Sequence, residues 1–321
     1  MTASQAEGVP ATSVVMPTYN RGAGLLDFVR PLLEDPFPLE VIVVVDGSED
    51  DSMASLQSLA ESHPRLRPIW IPNSGEMGAR GVGLAEAQGE VVVMLDDDVL
   101  VRPGLIELHA RRHGREHGLV AIGYMPTWLP PRPTASEFAT VLYAHEYEEA
   151  CLRYRRDPDR ILCHLWAGNI SLRRDDALEV GMSNPAYQFR YHQDREFGLR
   201  CKRAGLKGAF DPALRADHFH SRGLEAFRRE AIAQGAGRRR LHRLHPDLLG
   251  ELRGEEASRG LRGAVRSVAR ASRRPLLYRA CTGSLVATIR TAERFDILPL
   301  AKAAARLLRR IDQEQGILVE G

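Results

Sequence analysis

Val91-Val92-Val93-Met94-Leu95-Asp96-Asp97-Asp98-Val99 is an unbroken apolar run that ends in three consecutive carboxylates. Five apolar residues without polar alternation read as a strand covered on both faces, the pattern of a parallel sheet. Charge as dense as Asp96-Asp97-Asp98 at a strand's end calls for a counter-charge. Carboxylate oxygens are hard ligands that suit Mg²⁺ or Mn²⁺, which nucleotide-using enzymes hold with one or two carboxylates and the substrate's phosphates. An acidic turn capping the next helix explains the same residues, because Asp also favours turns and helix starts. The triplet alone does not separate these readings.

Working outward, three more β-rich runs break off into loops. Ser13-Val14-Val15-Met16 stops at Pro17, Val41 to Val45 stops at Asp46-Gly47-Ser48, and Ile69-Trp70-Ile71 stops at Pro72-Asn73. Helix-like segments lie between them over 24–34, 52–62 and 78–88. Strands alternating with helices of this length predict βαβ units, and hence an α/β fold with a mostly parallel sheet covered by helices on both faces. Ligands of such sheets bind beyond the carboxyl ends of the strands. That rule puts residues 18–21, 46–48 and 96–98 along one edge.

Further on, the pattern predicts a helix over 105–117 and a strand over 119–123. A Pro-rich loop around Pro126, Trp128, Pro130, Pro131 and Pro133 is expected to cover the sheet edge. Then come a helix over 135–155, a strand over 162–172 and a helix over 194–204. Beyond Phe227 the pattern is wholly helical, with Arg259, Arg262, Arg266, Arg270 and Arg273 opposite Leu261, Val265 and Val268. The expected organisation is a disordered N-terminus over 1–11, an α/β domain over 12–225 and a basic helical appendage over 226–321.

Composition narrows the class. The chain has 321 residues, 44% of them apolar, enough for a sizeable core. Cys151, Cys163, Cys201 and Cys281 have neither CxxC spacing nor disulfide-scaffold density, so a cytoplasmic location is expected and no chemistry is assigned to them. No stretch of 18 apolar residues occurs, and Met1 to Pro10 lacks the form of a signal peptide. The net charge of +2 conceals a segregation: residues 226–321 carry 20 Lys and Arg against 10 Asp and Glu. A basic appendage suits an anionic membrane surface, the acidic body of the same protein, or a homodimer contact.

Several other positions invite chemistry. Asp46, at the end of an apolar strand, suits hydrogen bonding to a base or ribose, or capping of the helix after Ser52. The loop Asn73-Ser74-Gly75-Glu76-Met77-Gly78-Ala79-Arg80-Gly81 opens a helix, so its N–H groups and Arg80 are natural diphosphate partners. Asp194, at a helix start, is either a cap or a general base. His218, in Asp217-His218-Phe219-His220, could ligate a metal or sit as a satisfied polar histidine. His109, His113 and His117 share a helix face, but the flanking Arg111, Arg112 and Arg115 favour a solvated basic surface over metal binding.

The order of these motifs resembles the family 2 glycosyltransferases, whose fold is the nucleotide-sugar-binding GT-A fold. The resembling residues are Val14-Val15-Met16-Pro17-Thr18-Tyr19-Asn20-Arg21, Val45-Asp46-Gly47-Ser48-Glu49-Asp50, Gly78-Ala79-Arg80-Gly81-Val82-Gly83-Leu84-Ala85 and Leu95-Asp96-Asp97-Asp98. They continue with Ala167-Gly168-Asn169-Ile170-Ser171-Leu172, Asp194-Arg195-Glu196-Phe197-Gly198-Leu199-Arg200, and Phe210-Asp211-Pro212 leading to His218. The resemblance covers residues 12–225 and implies a nucleotide-sugar-binding half over 12–103 and an acceptor-binding half over 104–225.

It also implies roles. Pro17, Thr18, Tyr19 and Arg21 line the nucleotide pocket, Asp46 binds the base, Gly78 belongs to the nucleotide-sugar site, and Arg80 approaches the diphosphate or base. Asp98 and His218 bind Mn²⁺ or Mg²⁺ and Asp96 lies nearer the ribose. Asp97 fills the variable middle of an Asp-x-Asp motif, although a register of Asp97 with Asp98 is also open. Asp194 is the catalytic base, and Trp166 and Asn169 face the acceptor. Gln193 stands where the family usually has Glu, and Gly81 where it often has Asn. The implied activity is metal-dependent, inverting transfer of a hexosyl or deoxyhexosyl group from a UDP, GDP or TDP sugar to a hydroxyl on a glycan, a lipid-linked acceptor or a small molecule, with no nucleic-acid partner. A nucleotidyltransferase-like enzyme, or a peripheral membrane or adaptor protein on the same scaffold, are the competing readings.

Overall fold

A computed structural model describes residues 8–189, 191–250 and 274–319. Strands β1 (Thr12–Thr18), β2 (Glu40–Asp46) and β4 (Val91–Leu95) are buried at every position, and β3 (Leu66–Ile71) is only partly buried. With β6 (Leu119–Tyr124), β7 (Asn169–Arg173) and β8 (Lys207–Arg215) they form a seven-stranded sheet of order β3-β2-β1-β4-β7-β6-β8. The β1–β2, β1–β4, β2–β3 and β6–β8 pairs are parallel, and β7 runs antiparallel to both β4 and β6. The strands lacking alternation are the central ones, because helices cover both of their faces.

Helices α1 (Leu26–Glu34), α2 (Ser52–Ala60), α3 (Glu76–Glu86) and α4 (Leu105–Arg115) follow β1, β2, β3 and the triple-Asp turn. In α3, Gly83 allows the helix to press against the sheet: a Cβ there would lie 2.4 Å from Val15 Cγ1. Val15, Ile42, Val44, Leu84, Met94, Ile170 and Phe197 belong to the core thus formed. Helices α5 (Phe138–Arg156), α6 (Arg174–Val180) and α7 (Gln193–Arg203) follow in the chain.

One expected strand is shorter than its apolar pattern. Residues 162–168 are not extended ladder: Pro158–His164 forms a 3₁₀ helix and β7 begins at Asn169. The reason lies in the carbonyls before it. Ala167 O accepts from Arg80 and Gly168 O accepts from Asp96 N–H, so both serve the loops of the sheet edge.

A two-residue ladder matters more than its size. β5 (Val99–Leu100) pairs antiparallel with β9 (Asp217–His218), aligning Val99 with His218. Phe219 N–H donates to Asp98 O at 2.8 Å, which extends the register to the last residue of the triplet.

The chain clusters into two compact units. The first comprises residues 1–126, 148–186 and 194–219, and the second residues 127–147, 187–193 and 220–321. Within the second, α8 (Leu224–Leu244), α9 (Pro246–Leu249), α10 (Pro275–Arg294) and α11 (Leu298–Val319) bear out the helical reading beyond Phe227. The arginine repeat from Arg259 to Arg273 lies outside the described residues. Phe138, Leu142, Phe227, Ile289, Ala305 and Leu308 form part of this unit's core. Glycine allows close approach of α8 and α11, since a Cβ on Gly235 would lie 2.0 Å from Gln313 O. Among the described residues, no helix is long and apolar enough to cross a membrane.

Candidate active site

The three carboxylates leaving β4 have three different environments. Asp97 accepts from Thr18 Oγ1 at 2.7 Å and from Arg21 Nε and Nη2 at 3.1 and 2.7 Å. Asp98 accepts from Arg21 Nη2 at 2.9 Å, while its other oxygen lies 3.0 Å from His218 Nε2. Asp96 receives the Arg80 guanidinium. The triplet caps no helix, because the N-cap of α4 is Gly104. Burial pushes the Asp96 and Asp97 carboxyls above their usual range, against the pull of Arg80 and Arg21 respectively. Asp97, expected as the replaceable middle residue, is instead the one that ties the turn to Thr18 at the end of β1 and, through two N–H groups of Arg21 on one oxygen, to the loop that follows.

Asp46 lies at the end of β2, as expected, but its capping role differs from the one weighed above. One of its oxygens accepts from Ser74 N–H at 2.6 Å and Ser74 Oγ at 3.1 Å, the other from Gly75 N–H at 2.9 Å. It therefore fixes the loop opening α3, whereas α2 begins at an Asp51 N-cap, with Ser52 N–H donating to Asp50. Gly78 lets that loop fold back, since a Cβ there would lie 2.5 Å from Ser74 Oγ. Pro17 and Thr18 are buried at the end of β1, and Tyr19 beyond them is half-exposed. Asn20, with φ of 50°, donates its N–H to Ser48 Oγ and so links the loops after β1 and β2.

Arg80 has no exposed surface. It donates to Ala167 O at 3.0 Å and pairs with Asp96 and, at 3.1 Å, with Glu76. It touches the edge through Asp96 rather than by reaching outward. Glu76 was passed over in the sequence, although its position four residues before Arg80 in a helix is the signal for such a pair.

Asp194 is the second residue of α7, and its Oδ1 accepts from the N–H of Arg195 at 2.8 Å. Burial pushes its carboxyl up to about 6, aided by Glu76 and opposed by Arg195 and Arg80. A carboxylate with that affinity for protons suits proton transfer near neutral pH. Glu196, two residues on, is buried and engaged by Asn184 Nδ2 at 2.6 Å and Arg200 Nε at 2.9 Å, which makes it a structural carboxylate. Trp166 is part-buried in the loop before β7.

The histidines of α4 overturn the expectation of a solvated basic face: His109 and His113 have no exposed surface. His109 lies 2.9 Å from Asn169 Oδ1 and 2.8 Å from Ser171 Oγ, and His113 Nε2 lies 2.8 Å from the same Ser171 oxygen. Asn169 Nδ2 donates to Leu214 O at 3.0 Å, so its oxygen must accept from His109 Nε2–H. His109 Nδ1 then accepts from Ser171 O–H, which in turn accepts from His113 Nε2–H. Burial keeps both rings neutral, lowering His109 to about 3 and His113 to about 4. Asn169 thus has both ends of its amide engaged inside the protein. The spacing of residues 109 and 113 was legible; the polar residues of β7 that receive them were not.

The profile of glycosyl transferase family 2 matches residues 13–175, which is half of the chain, and the chain belongs to that family. The glycosyltransferase GlyG of Streptococcus pneumoniae is 31% identical over 113 residues, 35% of this chain and 38% of GlyG. A Campylobacter jejuni GalNAc(5)-diNAcBac-PP-undecaprenol β-1,3-glucosyltransferase is 36% identical over 93 residues, 28% of this chain and 30% of that enzyme. The match thus spans well under half of these relatives' lengths. Among solved structures, the mannosyltransferase PcManGT of Pyrobaculum calidifontis, in complex with GDP-Man and Mn²⁺, superposes with a TM-score of 0.59 at 16% identity, covering 95% of this chain and 87% of that one. The fold is the GT-A fold.

Proposed function

We propose that the protein is a metal-dependent inverting glycosyltransferase that moves a sugar from a nucleoside-diphosphate sugar to a hydroxyl acceptor. The observation that carries this reading is the Asp98–His218 pair held by the β5–β9 ladder, in the same unit as a half-buried Asp194 of raised proton affinity. A carboxylate oxygen and an imidazole nitrogen 3.0 Å apart are a donor set that Mn²⁺ accepts and Mg²⁺ tolerates, so the residues fit a divalent ion. Asp98 and His218 would hold it, and it would supply charge to offset that of the departing nucleoside diphosphate. GDP-Man with Mn²⁺ in PcManGT is in keeping with this chemistry.

The chain's own residues divide the remaining work. Tyr19 and the loops joined by Asn20 and Ser48 hold the base, with Asp46 fixing the shape of that pocket. Asp96, steadied by Arg80, faces the ribose. Asp194 accepts the proton of the acceptor hydroxyl as its oxygen forms a bond to the anomeric carbon and the bond to the diphosphate breaks. One displacement inverts the centre, so an α-linked donor gives a β-glycoside. Trp166 meets the acceptor, a glycan, a lipid-linked saccharide or a small molecule. The protein works in the cytoplasm, where nucleotide sugars are available, with its basic C-terminal helices serving a membrane or dimer contact.

Incubation with labelled UDP, GDP and TDP sugars tests the reading. Sugar release or transfer is expected only with Mn²⁺ or Mg²⁺ and is expected to vanish in Asp98→Ala and Asp194→Asn. Full transfer by Asp194→Asn would overturn the assignment of the base.

A further inference from the structure

Helix α10 gives way to α11 at a corner whose backbone is held by its own hydrogen bonds. Ile297 N–H donates to Ala292 O at 2.8 Å and Asp296 N–H to Glu293 O at 3.3 Å, the paired bonds of a Schellman cap. Asp296, with φ of 51°, takes the left-handed position that Gly or Asn ordinarily fills, and its Oδ1 accepts from Ala135 N–H at 2.6 Å. Leu298 packs against the core of the helical unit and Ala301 is buried in it. What the corner presents to solvent is apolar. Phe295 is 66% exposed, more than any other Phe, Tyr or Trp among the described residues, and Ile297 and Leu300 are 44% and 40% exposed. Apolar residues exposed singly need no explanation, but three within six residues on a fixed corner make a patch, and a patch with a polar rim marks an interaction site.

That rim is cationic. Arg290 and Arg294 lie one turn apart on the exposed side of α10, and neither has a carboxylate partner among the described residues. The Arg294 guanidinium lies 5.9 Å from the centroid of the Phe295 ring. Residues 274–319 carry 8 Lys and Arg against 4 Asp and Glu, so the neighbouring surface stays positive. An apolar tip beside arginines suits the boundary between lipid headgroups and acyl chains, where the tip leaves water while the guanidinium groups remain among the phosphates. A second copy of the chain fits less well. A stable dimer buries roughly 800 Å² per partner, which three side chains do not supply, and a twofold contact would set arginine against arginine.

We propose that the corner over 294–300 docks on an anionic lipid bilayer, with Phe295, Ile297 and Leu300 entering the headgroup boundary and Arg290 and Arg294 meeting lipid phosphates. Every residue of this surface belongs to the second unit, so its binding to lipid calls for neither donor nor metal.

Co-sedimentation of the full chain with vesicles, in EDTA and without nucleotide sugar, tests the surface apart from the transfer reaction. Binding is expected on vesicles containing phosphatidylglycerol at low salt, weaker binding at physiological salt, and none on phosphatidylcholine alone. Phe295→Ser is expected to weaken binding roughly tenfold, the factor that burying one such side chain supplies, at an unchanged melting temperature. Joint replacement by Arg290→Gln and Arg294→Gln is expected to weaken it too and to flatten its salt dependence. Phe295→Trp gives a second reading: its emission, over that of Trp70, Trp128 and Trp166, is expected to be quenched by lipid brominated on the acyl chain. No binding to anionic vesicles at low salt, equal binding by a folded Phe295→Ser, or added emission that brominated lipid leaves untouched overturns the proposal. So does a dimer in sedimentation equilibrium that Phe295→Ser abolishes, since the corner would then join two copies of the chain.

Discussion

At Asp194 one property serves chemistry and opposes stability. Its carboxyl rises from about 3.8 to about 6 because burial disfavours the charged form. As a base it must be ionised, so kcat/KM is expected to fall as pH drops through about 6, and a profile flat down to pH 5 would remove Asp194 from that role. For stability the sign reverses. A carboxyl raised on folding contributes stability below its unfolded value near 3.9, and that contribution is lost as pH rises through about 6. Asp194→Asn is therefore expected to lose roughly 10²–10⁴-fold in rate while melting no lower than wild type at pH 8, with the advantage gone near pH 4. A marked drop in melting temperature at pH 8 would show that Asp194 is a structural residue instead. Asp97 carries the opposite lesson: the sequence placed it on the correct edge, but only its partners Thr18 and Arg21, some eighty positions earlier, show that it ties two loops together. Asp97→Ala is expected to leave Arg21 on Asp98 alone and to weaken nucleotide binding, which fluorescence titration would detect.

Among the elements, the parallel strands were legible because their apolar runs lack alternation, and the helices because turn residues set them off from the strands. What stayed hidden depends on contacts across the sheet. Residues 162–168 are apolar enough for a strand, yet the Ala167 and Gly168 carbonyls serve Arg80 and Asp96. The arginines flanking His109 and His113 suggested water, yet Asn169 and Ser171 draw both rings inside. This network makes α4 sensitive to acid. A buried neutral histidine contributes stability above its unfolded value near 6.5, and the contribution is lost as pH falls toward the folded values of about 3 and about 4. Urea midpoints are expected to fall between pH 7 and pH 5, and to fall less steeply in His109→Phe, although that variant starts lower. Equal slopes would take His109 out of the acid response. Packing of α3 makes a simpler demand: Gly83→Ala would drive a methyl into Val15 and is expected to destabilise by about 1–3 kcal/mol, read as a lower urea midpoint at unchanged slope.

For the whole molecule, separate cores predict separate cooperativity. Ile42, Val44, Met94 and Phe197 belong to one core, and Phe138, Phe227, Ile289 and Leu308 to another. Two such cores in one chain are where all-or-none unfolding commonly fails, so calorimetry is expected to show two overlapping transitions. The residues assigned to base, ribose and metal all lie in the first unit, among residues 17–98 and 218. A nucleoside diphosphate with Mn²⁺ at a hundred times its dissociation constant adds about 2.7 kcal/mol to whatever it binds, which for a unit of this size is about 5–10 °C. Only the transition of the first unit is expected to move by that amount, and Asp98→Ala is expected to cancel the shift. Should both transitions rise together under that ligand, the two cores unfold as one and the division of the chain into separately cooperative units is wrong.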